Sequence, residues 1–362
     1  MNEKPKGKKN ILTPAYARNF MLTYLINSNK GDLFDKAFEI LEVIEKEVNK
    51  LSYEDCFVAM ILASKFHEEE DYLSVYDGRN YYELENNLND QYMDGTLQKI
   101  TEQRVRPNKW TATALLARTF LYTGDWKNAE IQSTEVINNN SLYGLSILND
   151  VFLKNNIEAI WQLQPVLNGP TNTSDGYHFI VPSSGPNEPV NPVYLSQWLL
   201  NNFEEKDKRR TDWIDSVTVD GTTYYYPFKY KVNGINDDVS EYQMILRLGE
   251  QYLIRAEARA EQGKVIDAEA DLNTIRARAG LKNTTAVSQL ELISAIQHER
   301  QVELFAEFGH RWLDLKRTGR VNGVMTLVTH QKGGIWNKNQ QLYPIPLTEI
   351  QKDPNLVQND GY

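Results

Sequence analysis

Residues 251–275 read QYLIRAEARAEQGKVIDAEADLNTI, and their spacing decides the fold. Ala256 lies seven residues before Gly263, and Ala268 lies five after it. The same offsets recur in ALLARTFLYTGDWKNAEIQSTEVI at 114–137, where Ala117 precedes Gly124 by seven and Ala129 follows it by five. Small residues at these positions let two antiparallel helices pack closely, and the glycine takes the tight turn between them. A repeated helix pair of this kind is tetratricopeptide-like: each pair buries its face on the next. Weaker echoes occur upstream, in YLINSNKGDLFDKAFEIL at 24–41 with Gly31 at the turn, and in LASKFHEEEDYLSVY at 62–76.

Apolar periodicity extends the helical reading. Ile245, Leu248, Tyr252 and Ala256 recur at helical spacing, as do Leu304, Phe308, Trp312 and Leu315. Residues 33–50 read as a further helix capped by Asp32. The pattern breaks from about 164 to 240. PVLNGPTNTSDGYHFIVPSSGPNEPVNP, at 165–192, holds six prolines and three glycines and reads as a long irregular loop. A short helix is expected at 193–204 and a strand at 157–163. DSVTVDGTTYYYPFKYKVN alternates about Asp220-Gly221, the signal of a hairpin. Residues 340–362, punctuated by Pro344, Pro346 and Pro354, read as extended. The expected fold is therefore mainly α, tetratricopeptide-like repeats with a loop-rich insertion containing small β elements. Its expected parts are a divergent helical region at 1–90 and a larger domain at 91–362, with units near 110–140 and 245–280.

Composition narrows the function. The 362 residues are long enough to bury a sizeable core. The net charge of −10, with no basic cluster beyond the first ten residues, argues against nucleic acid as a partner. Aromatics reach 11%, including 20 Tyr and 7 Trp, which suits a binding face built from flat rings with polar handles. Cys56 is the one cysteine, so no internal disulfide forms; its apolar setting reads as a buried thiol. No secretory signal and no membrane-length apolar run are read, so the chain taken literally is cytosolic.

Nothing in the chain demands catalysis. The five histidines, His67, His178, His298, His310 and His330, have no short-range metal spacing, and the common nucleophile and phosphate-loop motifs are missing. Glu299, Glu303 and Glu307, four apart on an expected single helix, have the look of paired catalytic carboxylates. The interleaved Arg300, Arg311, Lys316 and Arg317 make an ion-pair network the expected reading, and Arg276 and Arg278 are read the same way. The binding candidates are aromatics beside amides and charges: Tyr177, His178 and Phe179 in the loop, Tyr224 and Tyr225 in the hairpin, Tyr76 and Tyr82 in VYDGRNYY, and Trp336 beside Gly333-Gly334. Core or strand packing is the competing reading for each, and Tyr224 and Tyr226 compete with Tyr225 for the outer face. Trp126, Trp161 and Trp312 are assigned to the core.

HERQVELFAEFGHRWLDLKRTGR at 298–320 and LYPIPLTEIQKDPNLVQNDGY at 342–362 carry a resemblance. With the run from Lys109 through LLAR to Gly124, they are similar in order and content to segments of the SusD/RagB family, over roughly 95–362. Phe308 stands where the family usually has Glu. The resemblance implies a non-catalytic, surface-exposed outer-membrane lipoprotein. It would bind oligosaccharide or polysaccharide and deliver it to a TonB-dependent outer-membrane transporter. Through it, the chain reads as a shortened or divergent member, or as one whose start is incomplete, with the export segment not seen. The competing expectation is a tetratricopeptide-like protein–protein interaction scaffold. No cofactor or metal is called for.

Overall fold

A computed structural model describes residues 88–166, 171–353 and 355–362. Its helices are α1 (Lys109–Thr123), α2 (Trp126–Asn138), α3 (Ser174–Phe179), α4 (Gln197–Leu200), α5 (Arg209–Asp212), α6 (Leu248–Glu261), α7 (Val265–Arg278), α8 (Gln289–Glu303), α9 (His310–Arg317), α10 (Val321–Gln331) and α11 (Leu347–Lys352). The strands are β1 (Ala159–Leu163), β2 (Ile214–Val219), β3 (Thr222–Pro227) and β4 (Gln243–Arg247). Residues 88–345 and 358–362 belong to one compact unit; 346–357, with α11, belong to another. No described helix is long and apolar enough to cross a membrane.

The helical pairs form as their spacing requires. Asn108 caps α1 in a reciprocal box with Thr111, and Gly124 ends it in the left-handed region at φ 76°. Gly263 turns the α6–α7 pair in the same way at φ 74°. Ala117, Ala129, Ala256 and Ala268 are each 0% exposed and sit in the buried clusters of the paired helices. Ala117, Leu121 and Ala129 of the first pair meet Ile254 and Ala258 of α6, so the two pairs stack. On the other side of α6, Leu253, Ala256 and Ala260 join Ala268, Leu272 and Ile275 of α7 and Leu292 and Ile296 of α8. The two later repeat units are thus tetratricopeptide-like. The echoes at 24–41 and 62–76, the helix at 33–50 and Cys56 lie outside the described residues.

The insertion between the pairs carries two small sheets. β1 pairs antiparallel with β4, and β2 pairs antiparallel with β3. Asp220 at φ 49° and Gly221 at φ 78° supply the two left-handed residues of the hairpin turn. Trp213, Phe152, Tyr230, Met244 and Phe305 form a core beneath the hairpin.

Three sequence expectations are corrected. Ile245 lies in β4 and α6 begins only at Leu248, because 243–247 are held extended by pairing with β1. The stretch through Leu304 and Phe308 is not one helix. Ala306 (φ 56°), Phe308 (φ 42°) and Gly309 (φ 71°) are left-handed and separate α8 from α9. The segment 340–362 is not wholly extended, since it includes α11 and the end of a short 3₁₀ turn at Lys338–Gln341. The strand at 159–163 and the short helix at 197–200 fall within their expected windows.

Close packing at the alanines is testable. Ala256→Leu inserts three carbons where the site is 0% exposed. Urea unfolding should show a loss of about 1–3 kcal/mol with an unchanged m-value.

Candidate functional site

The acids that resemble a catalytic pair are buried in ion pairs. Glu303, the last residue of α8, meets Arg209 Nη1 at 2.9 Å, Arg247 Nη1 at 2.7 Å and Arg278 Nη2. Glu307 meets Lys229 Nζ at 2.5 Å and Arg247 Nε at 2.9 Å. Glu299 meets Arg209 at 2.7 Å and Arg276 at 3.1 Å. Glu158, preceding β1, closes the cluster on Arg247 at 3.1 Å and Arg278 at 2.5 Å. The ion-pair expectation is met, with different partners. Arg300 and Arg317 instead hold Glu257 and Asp314, and Glu307 lies beyond the helix that the spacing assigned it to. The left-handed break after α8 is what places Glu307 against Lys229 and Arg247.

These surroundings set the charge states. Burial opposes ionisation of Glu303, but Arg278, Arg247, Arg209 and Lys229 outweigh it and hold the carboxyl well below its usual range. Burial likewise opposes Glu250, yet Arg118 draws it down to about 2. Burial lowers Lys229 to about 8 against the pull of Glu307. A glycosidase needs one carboxyl kept protonated near neutrality as an acid. Glu303 and Glu307 are both held ionised and pinned by cations.

Aromatic rings crowd the insertion. Tyr194, in the extended stretch before α4, is 54% exposed and packs edge-to-face on Tyr224 of β3 at 5.1 Å. Tyr177, on α3, is 37% exposed and packs edge-to-face with its neighbour His178 at 5.0 Å. His178 is fixed by Ser174, whose carbonyl lies 2.8 Å from Nδ1. Asn191 links the two groups. Its amide donates to the carbonyls of Tyr177, His178 and Ile180 at 2.8, 3.0 and 3.2 Å, three residues before Tyr194. Leu195 N donates to Tyr225 O at 2.7 Å, which binds the loop to the hairpin.

Strand alternation sorts the hairpin aromatics. Pairing of 217 with 224 and 215 with 226 puts Tyr224 and Tyr226 on one face. Ile180 and Val181 cover Tyr226 there, leaving Tyr224 half-buried at the edge. Tyr225, on the opposite face, packs against the core beneath Arg210, whose guanidinium carbon lies 4.6 Å from the ring centroid. Phe179 turns inward and lines a small cavity with Asp175, Lys229, Tyr230 and Glu307. Tyr194 was not among the sequence candidates, because a single tyrosine between prolines and polar residues carries no local signal.

The remaining candidates stand apart. Trp336 is half-buried, packs edge-to-face with Trp312 at 6.2 Å and donates its indole N–H to Asn322 at 3.0 Å. Trp312 and Trp126 are half-buried, Trp126 packing against the buried cluster of the first helical pair, whereas Trp161 is 1% exposed. Tyr76 and Tyr82 lie outside the described residues. Glu204, His298 and Glu299 bring ligand atoms within 4.8 Å of one another. Arg276 bonds both acids, at 2.5 and 3.1 Å, and a ring nitrogen of His298 lies 2.8 Å from Asn202 O, so arginine already supplies the charge a cation would.

Comparison with known proteins agrees with this architecture. The SusD family model matches residues 214–362, the stretch that holds the hairpin, α6–α10 and the closing segment. Over that stretch the chain is similar to the SusD family. It is 25% identical over 319 residues to the SusD-like protein P2 of Formosa agariphila, covering 75% of this chain and 63% of that protein. It is 36% identical over 124 residues to the starch-binding protein SusD of Bacteroides thetaiotaomicron, covering 33% of this chain and 21% of that one. The chain thus spans under two thirds of the length of these relatives. Among solved structures, a SusD superfamily protein from Bacteroides vulgatus is similar with a TM-score of 0.66 at 16% identity, over 98% of this chain and 87% of that one. The surface glycan-binding protein A of Bacteroides uniformis has a TM-score of 0.59 at 22% identity, over 77% and 68%. These likenesses show the fold, mainly helical and tetratricopeptide-like.

Two measurements probe the cluster. Glu303→Gln leaves Arg209, Arg247 and Arg278 without their shared buried acid, so chemical denaturation should show a loss of about 3–5 kcal/mol. Acid titration should erode stability in two stages. Burial first, then Arg118 and Arg300, lowers His310 from 6.5 to about 4 despite Glu250. The unfolded state therefore takes up this proton first, and the His310 contribution, present above pH 6.5, is lost as pH falls toward 4. Glu250 and Asp314, both at about 2, and Glu303 contribute above their unfolded values near 4, and that contribution is lost as pH falls toward 2. His310→Asn should flatten only the first stage of unfolding midpoint against pH.

Proposed function

We propose that this protein is a non-catalytic glycan-binding protein of the cell surface, which holds an oligosaccharide or polysaccharide for a TonB-dependent outer-membrane transporter. The observation that carries the binding is the aromatic edge of the insertion: Tyr194 and Tyr224, with Tyr177 and His178 tethered beside them through Asn191. Sugar rings present C–H faces that stack on tyrosine, while their hydroxyls need directional partners such as the tyrosine hydroxyls and the His178 ring. The site sits on loops clamped to a rigid hairpin, which limits the ordering cost of binding. The family match over 214–362 and the named functions of relatives, starch binding and surface glycan binding, support the substrate class. The outer-membrane location and the transporter partner rest on the family alone. The buried, ion-paired state of Glu299, Glu303 and Glu307 supports binding without cleavage.

Affinity electrophoresis tests the reading. The full chain should be slowed in gels containing at least one of a panel of plant, algal and bacterial polysaccharides. The Tyr194→Ala/Tyr224→Ala variant should lose that retardation by about tenfold in apparent affinity, while circular dichroism and melting temperature stay near those of the parent. Retention undiminished in the variant would remove the aromatic edge from the site.

A further inference from the structure

Away from the insertion, a cleft of about 530 Å3 opens beside the turn of the first helical pair. Its walls come from the α1–α2 turn, the end of α6, the first turns of α8 and the end of α9, so it is a feature of the repeats themselves. The volume falls within the roughly 300–1,000 Å3 of small-ligand sites. Trp126, half-buried, stands at the start of α2, its indole 3.7 Å from where a side chain on Gly124 would project.

The polar wall has a fixed part and an uncommitted part. Glu257 and Arg317 are locked together by two bonds of 2.6 and 2.8 Å. One helical turn on, Glu261 lines the cleft and forms no ion pair among the described residues; burial, then Glu257, pushes its carboxyl up. Arg320, exposed at the rim, likewise has no ion pair among the described residues. Gln297 lines the cleft at 3% exposure, and its Nε2 finds no hydrogen-bond partner among the described residues. An unpaired buried amide is costly, and a bound acceptor would relieve that cost.

We propose that this cleft is a second glycan-contact site, which takes a neutral sugar ring against Trp126 with its hydroxyls bonded to Glu261, Arg320 and Gln297. The donor set decides the class. Two carboxylates disfavour an anion and two guanidinium groups disfavour a simple cation. Acceptors and donors interleaved about an indole plane match a polyhydroxylated ring, whose hydroxyls do both. The inference rests on the glycan reading above and adds a site that shares no residue with the aromatic edge.

The test is isothermal titration of the full chain with oligosaccharides prepared from whichever polysaccharide slows it in the gel. The parent should show two sites. Trp126→Ala should lose one, and Arg320→Ala or Glu261→Gln should weaken the same one by about tenfold; the exposed Arg320 serves as the variant that cannot act by unfolding. Tyr194→Ala/Tyr224→Ala should lose the other. A single site untouched by the three cleft variants overturns the second site and leaves the first standing. A single site lost only in the cleft variants keeps the cleft and overturns the aromatic edge. If no polysaccharide slows the parent, the glycan reading fails and this inference fails with it.

Discussion

Arg247 is the point where the described unit is tied together. It ends β4 and immediately precedes α6, and its guanidinium donates to Glu158, Glu303 and Glu307 at 3.1, 2.7 and 2.9 Å. Those acids come from the approach to β1, the end of α8 and the loop beyond it. Arg209 of α5, Arg278 at the end of α7 and Lys229 after β3 enter the same cluster. Taking so many charges out of water is costly, and the attraction between them repays that cost only if every partner is in place. The cluster therefore adds little to net stability but penalises any arrangement in which one element is misplaced. It is the feature that can hold an irregular insertion in one position against regular helical repeats.

That rigidity bears on the use proposed for the insertion. The loop from 171 to 195 is poor in regular structure, yet Asn191, Asn172 and the hairpin hold its backbone by hydrogen bonds. Its tyrosines therefore stand at an edge already ordered before a ligand arrives. The same charges bear on the acids near Gly309, which are buried in ion pairs. Three cations hold the Glu303 carboxyl ionised, whereas a glycosidase acid has to keep its proton near neutrality.

Legibility in the sequence followed distance along the chain. The alanine–glycine offsets that define both repeat units, and the Asp220-Gly221 turn, are local patterns, and the structure has them where they were read. Partner identities were not legible, because Arg209 meets Glu303 across 94 residues and Arg247 meets Glu158 across 89. The break between α8 and α9 was hidden for another reason. Leu304, Phe308, Trp312 and Leu315 keep helical spacing, and tertiary ion pairing at Glu307 overrides it. The hairpin aromatics were half legible: alternation places Tyr225 opposite Tyr224 and Tyr226, but not which face the 180–181 loop covers. Tyr194 and the cleft beside Trp126 depend on segments far apart in sequence and left no local mark.

The measurement that bears most directly on the account is a count of reducing ends in a polysaccharide that binds the full chain, followed over hours at saturating protein. The expected result is saturable binding with no increase over polysaccharide alone, the behaviour of a capture protein whose buried acids are committed to arginine and lysine. A rise in reducing ends that scales with protein concentration would contradict it and would place a working pair of carboxyls in the molecule.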